Sequence, residues 1–278
     1  MSIGRMVRRS PLHIFLVGVG ILWIVPTLGL LVTSLRPVSD FFSSGWWTVF
    51  GGHAHVSLDN YAALFKDTAL AQGFLNSVLI AVPGTVLPIA AACLAAYAST
   101  FIKFRGRDFL FLGVVALMVV PLQMALIPVS YLYGFLGLSG IPGIVLMHAA
   151  FAVPYATFLF RNFFIALPAE LLESAHVDGA GEWRIFSTIV LPLSLPAIAS
   201  FAVFQFLWVW NDLLVALVFS GPGSKPVTVA ILEHTRFFGS SVDVIAASSF
   251  LSMIPPLVLF FAFQRYFVQG LLAGSVKG

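Results

Sequence analysis

The chain contains six long segments in which nearly every residue is apolar. Each has about 18 or more residues, which in a helix rising about 1.5 Å per residue is enough to cross the roughly 30 Å hydrocarbon core of a bilayer. They lack the alternation of membrane β-barrel strands, so the pattern predicts an all-α integral membrane protein with six transmembrane helices. The segments lie at about 12–33, 73–99, 108–130, 141–166, 193–220 and 246–268.

The composition agrees with a membrane protein. Of the 278 residues, 60% are hydrophobic and 9% are charged, and the mean hydropathy is +1.02. A soluble domain carries roughly 25% charged residues, so most of this surface must face lipid or other helices. The net charge of +3 is small and dispersed, which argues against a nucleic-acid partner. Cys93 is the single cysteine, so we expect no intramolecular disulfide, no metal site and a small buried side chain.

The first apolar run resembles a secretory signal, because Arg5, Arg8 and Arg9 precede it. However, the run from Leu12 to Val32 has about 20 residues, which is long enough to span the bilayer. No small-x-small cleavage site ends it cleanly. We therefore expect a retained first helix.

The distribution of lysine and arginine predicts the orientation, because these residues concentrate on the cytoplasmic side. If the N-terminus is cytoplasmic, the segments 34–72 and 221–245 face outward and hold four basic residues. This bias favours two cytoplasmic termini. The inward segments then hold ten basic residues, namely Arg5, Arg8, Arg9, Lys103, Arg105, Arg107, Arg161, Arg184, Arg265 and Lys277.

Prolines and isolated polar residues interrupt the apolar spans. Pro121 and Pro128 either bend a helix that lines a moving pathway or reflect ordinary membrane packing. Gln123 and His148 are isolated polar groups, for which an interhelical hydrogen bond is more common than a ligand.

One acid, Asp212, lies deep in the fifth predicted span, where charge is costly. Near the outer end of the span it either pairs with a neighbour at the interface or makes a polar contact with Asn211 and Gln205 at an outer gate. Trp208 is compatible with both interpretations. The candidate residues of a translocation pathway are therefore Pro121, Gln123, Gln205, Trp208, Asn211 and Asp212.

The connection at 167–196 is the longest one on the predicted cytoplasmic side, and it is unusually acidic. Pro168 suits the first turn of a helix, Gly179 and Gly181 end that helix, and a second helix starts near Glu182. The pattern predicts a helix–turn–helix with an exposed tip. Such an element either docks with a partner or is an interfacial amphipathic helix without one.

This stretch resembles the signature of ABC-importer permeases: Glu-Ala-Ala, three residues, Gly, nine residues, Ile, one residue and Leu-Pro. Here Glu173-Ser174-Ala175 is followed by Gly179, Ile189 and Leu191-Pro192 at each of those spacings. Ser174 in place of Ala is the one departure, and both side chains are small. So many fixed positions make the pattern far more specific than a lone glycine-rich motif.

Two further stretches resemble the carbohydrate branch of this family. Residues 206–219 are similar to the fifth-helix segment of sugar-uptake permeases, and residues 264–278 to the tail of the second permease of maltose-type importers. The resemblance implies a type I ABC importer permease fold with both termini cytoplasmic. Its expected parts are 1–72 with the first helix and outer loop, the core 73–269 with a coupling loop at 167–192, and the tail 270–278.

The resemblance also implies a set of partners. The permease binds no ATP itself, and this chain has no phosphate-binding loop. ATP and Mg²⁺ would bind to two cytoplasmic ATPase subunits, beside a second permease and an external or periplasmic substrate-binding protein at the cell (inner) membrane. Residues 168–182 would insert into an ATPase groove and convert ATPase closure into helix rotation. The coupling residues would be Glu173, Ser174, Ala175, His176, Asp178, Gly179, Ile189, Leu191 and Pro192.

Single residues receive roles from the same resemblance. Glu173 would meet a basic group, Ala175 and Gly179 would permit close contact, and Asp178 would cap or pair at the tip. The apolar, glycine-containing tail at 270–278 would enter a crevice between the ATPase subunits, or would simply end the last helix. Its candidate contacts are Gly270, Gly274 and Lys277.

Other functions predict features that the sequence lacks. A membrane enzyme would need catalytic groups together at membrane depth, and no paired acids, His-Glu-x-x-His or Gly-x-Ser-x-Gly occurs. A secondary transporter usually shows inverted repeats or broken helices with buried charges, and neither is evident. Among ABC permeases, polyol, glycerol-phosphate and peptide importers stay open. Four outer basic residues are few for a phosphorylated substrate, so a neutral sugar is favoured, and the overall resemblance suggests an α-glucoside.

Overall fold

The computed structural model of the protein describes residues 3–41, 43–51, 55–237 and 242–275. This part of the chain contains helices and loops but no strand. The α-helices are α1 (Ile3–Ser34), α2 (Val38–Phe41), α3 (Asp59–Lys66), α4 (Thr68–Phe101), α5 (Arg107–Ala116), α6 (Leu122–Phe135), α7 (Ile141–Ile165), α8 (Ala169–Val177), α9 (Glu182–Ile185), α10 (Leu191–Leu193), α11 (Leu195–Trp210), α12 (Leu214–Phe219), α13 (Val227–Phe237) and α14 (Val242–Ser275). Shorter turns are 3-10 at Trp46–Gly51 and Leu117–Val119, and π-helical at Phe186–Val190.

The number of spans agrees with the prediction. Two candidates among the described residues are bent pairs of helices, and counting each pair as one span gives six in all. The four unbroken candidates are Pro11–Ser34, Thr68–Phe101, Ile141–Ile165 and Val244–Tyr266. The bent pairs are Arg107–Val119 with Leu122–Phe135, at 102°, and Glu182–Leu193 with Leu195–Trp210, at 71°.

Proline accounts for both bends, which the apolar pattern did not reveal. Pro121 has no N–H and precedes α6 in an extended conformation, with φ −67° and ψ 129°. Val120 is also extended, as steric contact with a following proline ring favours. In the other pair, Pro192 and Pro196 lack the N–H groups that would continue the helical ladder, and the chain bends at Ser194 between them.

The predicted fifth span, 193–220, is corrected by the structure. Its helix ends at Trp210, and a break separates it from the short helix α12. The helical segment also begins earlier than predicted, at Glu182. Because α12 is as apolar as α11, the hydropathy pattern predicted one continuous span. It carried no information about the turn of the backbone between the two helices.

The chain divides into two compact units. The first comprises Met1–Ala71 and Ala230–Ile254, and the second comprises Gln72–Val229 and Pro255–Gly278. The second unit contains the connection 167–196 and all of the predicted pathway residues.

In the first unit, a buried arginine organises the segment that follows α1. Arg36 is 5% exposed, and its guanidinium donates to the main-chain carbonyls of Asp40 at 2.7 Å and Ser44 at 3.0 Å. The side-chain amide of Asn60 donates to the carbonyls of Ser34 at 2.9 Å and Arg36 at 2.8 Å. Because a buried charge is tolerated only with such partners, this outer arginine has a structural role.

Two apolar clusters form the core of the second unit. One joins small residues of α4 to aromatic residues of α7 and to the short helices of the connection 167–196. The other joins α4, α6, α7, α11 and α12. Gly84 shows why α4 needs small residues, because a Cβ there would lie 3.2 Å from a methyl group of Val209. In lipid, such close packing rather than exclusion of water drives helix association.

Single-cysteine labelling tests the predicted topology, because the native Cys93 is buried. Ser43→Cys lies in the outer segment 34–72 and Phe104→Cys in the basic inner loop, and both positions are exposed. In right-side-out membrane vesicles, a membrane-impermeant maleimide should label position 43 at once and position 104 only after permeabilisation. The wild-type chain is the unlabelled control, and the reverse pattern would contradict the predicted orientation.

Candidate functional site

Helix α8 is set by a proline before it and a glycine after it. Pro168 is its N-cap residue. Gly179 has φ +76°, a conformation that costs residues with a Cβ roughly 1–2 kcal/mol. The Gly179 N–H donates to the His176 carbonyl at 3.0 Å, and the Ala180 N–H to the Ala175 carbonyl at 3.0 Å. These two bonds form a Schellman motif, which ends the helix and turns the chain toward α9. The predicted helix–turn–helix is therefore present.

Helix α8 has one buried face and one exposed face. Leu172 and Ala175 are at most 9% exposed and belong to the apolar cluster with α4 and α7. Ile189 and Leu191 pack against the same cluster. Ala175 therefore packs closely against the chain's own helices. The predicted coupling residues that are exposed are Glu173, Ser174, His176, Asp178, Gly179 and Pro192.

The connection 167–196 is hydrogen-bonded to α4 through Glu182, the first residue of α9. The Tyr97 hydroxyl donates to Oε2 of Glu182 at 2.6 Å and lies 3.2 Å from the Glu182 carbonyl oxygen. Oε1 of Glu182 lies 3.0 Å from Nε2 of His176. Because Tyr97 belongs to α4 and His176 to α8, one carboxylate connects three helices. No pattern in the sequence indicates this contact, since Tyr97 is an ordinary aromatic residue of an apolar span until the loop folds against it.

His176 has an acceptor at each ring nitrogen. Nδ1 lies 2.7 Å from the Leu172 carbonyl and Nε2 lies 3.0 Å from the Glu182 carboxylate. Neither a carbonyl nor an ionised carboxylate can donate, so both contacts are hydrogen bonds only when each nitrogen carries a proton. The bond to Glu182, and next the bond to the Leu172 carbonyl, raise the pKa of His176 above its usual value.

The predicted pathway acid, Asp212, lies in the break between α11 and α12. Its carboxylate accepts hydrogen bonds from the N–H groups of Val215 at 3.4 Å and Ala216 at 3.0 Å, as an N-cap does. The Thr228 hydroxyl donates to its carbonyl at 2.7 Å, and its Oδ2 is 3.6 Å from Nε2 of the buried His148. Within the described part of the chain, neither ring nitrogen of His148 has a hydrogen-bond partner. This longer contact therefore takes the place of the expected interhelical hydrogen bond.

The other predicted pathway residues do not gather around Asp212. Gln205 is buried, and its side-chain amide donates to the Gly84 carbonyl at 3.1 Å, which joins α11 to α4. The side chain of Asn211 donates to the Leu207 carbonyl at 2.9 Å within its own turn. The structure therefore favours pairing of Asp212 with its neighbours over the gate contact with Asn211 and Gln205. Pro121 and Gln123, at the bend of the third span, and Trp208, on α11, are exposed on the chain.

The C-terminal candidates lie on the last helix. Helix α14 continues beyond the predicted end of the sixth span and includes Gly270 and Gly274. The backbone from 270 to 275 is therefore an extension of the spanning helix. Lys277 lies outside the described residues.

Comparison with known proteins gives consistent results. Residues 84–273 match the family described as binding-protein-dependent transport system inner membrane component. The chain is 49% identical over 276 residues to the osmoprotective compounds uptake permease protein of Synechocystis sp., covering 97% of this chain and 93% of that one. It is 49% identical over 230 residues to the alpha-glucoside transport system permease protein of Rhizobium meliloti, covering 80% of this chain and 60% of that one.

The fold also matches a solved structure. A chain of a bacterial ABC transporter involved in the import of the acidic polysaccharide alginate superposes with a TM-score of 0.77. The match covers 96% of this chain and 99% of that chain, at 21% sequence identity. At this identity the likeness supports the fold.

The hydrogen bonds of His176 predict a measurable titration. With ¹³C-labelled histidine, this ring should titrate above the usual value of about 6.5, and Glu182→Gln should lower its pKa because the ionised acceptor is lost. The protonated ring contributes to the stability of the loop. This contribution is complete at pH values below the pKa of His176 in the unfolded chain, and it is lost as the pH rises through the higher pKa of the folded chain. His176→Gln identifies the resonance. A pKa that Glu182→Gln leaves unchanged would contradict the contact.

Proposed function

The chain belongs to the family of binding-protein-dependent transport system inner membrane components, and on this premise we propose that it is a transmembrane permease subunit of an ATP-driven ABC importer for a sugar. The observation that carries the proposal is the tip at 168–182. It presents Glu173, Ser174 and Gly179 of the permease signature on an exposed surface, while its base is buried in the chain's own core. A water-facing element held so firmly suits a docking role better than an amphipathic helix that merely lies on the membrane.

The tip suits docking to a cytoplasmic ATPase subunit. Glu173 and Asp178 are exposed on α8 and its turn, where their carboxylates can meet basic groups of a partner. Leu172 and Ala175 attach the same helix to the core, so a push on the tip is passed to the helices behind it. We propose that ATP and Mg²⁺ bind to two such subunits, and that this chain holds no cofactor.

The apolar surfaces of the spans suit further partners within the membrane. The apolar residues of the span Pro11–Ser34 are almost all unburied within the described chain, and Leu22 and Trp23 are 70% and 74% exposed. Lipid and a second permease subunit both suit such faces. We propose that the pathway runs between the two permeases, where Gln123 and Trp208 supply exposed polar and aromatic groups.

The relatives and the environment of Arg36 favour a neutral substrate. One relative is named for alpha-glucosides and another for osmoprotective compounds. A phosphorylated substrate would need unoccupied basic groups, and the guanidinium of Arg36 is engaged by carbonyls of its own segment. We therefore propose an α-glucoside-like sugar or oligosaccharide, delivered by an external or periplasmic binding protein. An osmoprotective compound is the second candidate, ahead of a polyol or glycerol phosphate, because that relative covers nearly the whole chain.

Charge reversal at the tip tests the coupling role. In the assembled transporter, Glu173→Lys should lower uptake of a radiolabelled α-glucoside and binding-protein-stimulated ATP hydrolysis by more than about tenfold, because losing a paired charge at an interface costs a few kcal/mol. Membrane insertion of the chain should be unchanged, because Glu173 is exposed.

Asp59→Lys is the matched control, since Asp59 is an exposed acid of an outer segment. It should leave hydrolysis near the wild-type rate. Wild-type uptake and hydrolysis by Glu173→Lys would show that 168–182 is not the docking element.

Truncation after Gln269 tests the tail. If the end of α14 contacts the ATPase subunits, removing 270–278 should reduce assembly with them or coupled ATP hydrolysis several-fold, with membrane insertion unchanged. Co-purification of the ATPase subunits and hydrolysis in proteoliposomes measure the two effects. Full transport by the truncated chain would show that the tail simply ends the last helix.

A further inference from the structure

The carboxylate of Glu182 is shared between two helices that belong to different parts of the second unit. One oxygen accepts the 2.6 Å hydrogen bond of Tyr97, on α4, and the other faces Nε2 of His176, on α8, at 3.0 Å. Tyr97 and Glu182 are 85 residues apart in the sequence. Both contacts are charge-assisted, which makes them short and directional.

This connection differs from the other contacts of α8. Leu172 and Ala175 attach the helix to the core through apolar packing, which has no preferred direction and permits rotation. The hydroxyl of Ser174 donates to the Leu171 carbonyl within α8. In the described part of the chain, the bond of His176 to Glu182 is therefore the side-chain hydrogen bond that joins α8 to another element.

The opposite end of the connection is fixed. Tyr97 is 5% exposed, and its ring packs edge-on against Phe186 at 5.1 Å and tilted against Phe101 at 5.3 Å. A buried tyrosine requires a partner for its hydroxyl, and Glu182 supplies it. The carboxylate therefore joins the tip to Tyr97, a residue of α4 that its packing holds in place.

The contact between His176 and Glu182 contributes little to folding. The side chains of His176 and Glu182 are about half exposed, at 50% and 52%, where solvent screens an ion pair. A contact that adds little stability but fixes the angle between three helices is suited to transmitting movement.

We propose that Glu182 is a positioning residue of the importer: by linking Tyr97 on α4 to His176 on α8, it makes the coupling tip and the end of α4 move as one body. The inference rests on the proposed function, because it assigns the route by which a push on the tip reaches a membrane span. Without the link, α8 would still dock with its partner, but part of its movement would be lost as rotation about the apolar contacts.

The test uses the complete transporter in proteoliposomes, with uptake of an α-glucoside and ATP hydrolysis measured together. Tyr97→Phe removes only the hydroxyl, and Glu182→Ala removes the link. Each should lower the amount of substrate transported per ATP by about fivefold. Tyr97→Phe, which lies outside the tip, should leave basal hydrolysis and assembly near wild type. Glu182→Gln, which still accepts from Tyr97, should restore part of the loss. The double variant Tyr97→Phe with Glu182→Ala should be no worse than Glu182→Ala, because both act through one link.

Thr188→Val is the matched control. Its hydroxyl bonds to the Arg184 carbonyl within the same segment, so its loss leaves the link intact and should leave transport per ATP unchanged. Spin labels at Leu94, on α4, and Val177, at the end of α8, give a second readout, since both positions are exposed. The distribution of distances between the two labels should be narrow in both nucleotide states of the wild type and broader in Glu182→Ala.

The possible failures are distinguishable. If Glu173→Lys also left uptake intact, the docking function itself would be wrong. A second outcome is that Glu173→Lys abolishes uptake, while Tyr97→Phe and Glu182→Ala keep wild-type transport per ATP and Glu182→Ala keeps a narrow distribution of label distances. The docking function would then stand, and the positioning role of Glu182 would be overturned.

Discussion

No water is available inside a bilayer to hydrogen-bond a backbone N–H or C=O, and the architecture of this chain follows from that constraint. Long helices satisfy these groups internally, and most of the apolar sequence is used in this way. Where a span is interrupted, other groups replace the missing bonds. Pro121 has no N–H that would need a partner, and the carboxylate of Asp212 accepts the N–H groups at the start of α12.

The same constraint determines how the helices hold together. Because lipid is as apolar as the helices, their association depends on close packing and a few polar contacts. Gly84 contributes both, since its missing side chain admits Val209 and its carbonyl accepts a hydrogen bond from Gln205. Helices that make few such contacts within the chain, such as α1, leave apolar faces for lipid or for another subunit.

The connection 167–196 combines a buried base with an exposed tip. At its base, Leu172 and Ala175 pack among the helices of the core. At its tip, carboxylates are exposed, as at a protein interface. Gly179 allows the chain to turn sharply between the two. The permease signature therefore records two requirements at once: small and apolar residues that fit the chain's own core, and polar residues that are available to a partner.

The class, the number of spans and the place of the helix–turn–helix at 167–196 follow from the order of the amino acids alone. The length of an apolar segment reflects the thickness of the bilayer that it crosses. The residues of the signature from Glu173 to Pro192 are spaced as a helix, a turn and a second helix require. The ends of the fifth span do not follow from hydropathy, because hydropathy averages over a turn such as the one at Asp212, and the prolines at the bends did not show how far each span turns. The contact of Tyr97, Glu182 and His176 was decided by the tertiary structure alone. It joins residues that are distant in the chain, and each of them has an ordinary local explanation until the loop folds back on α4.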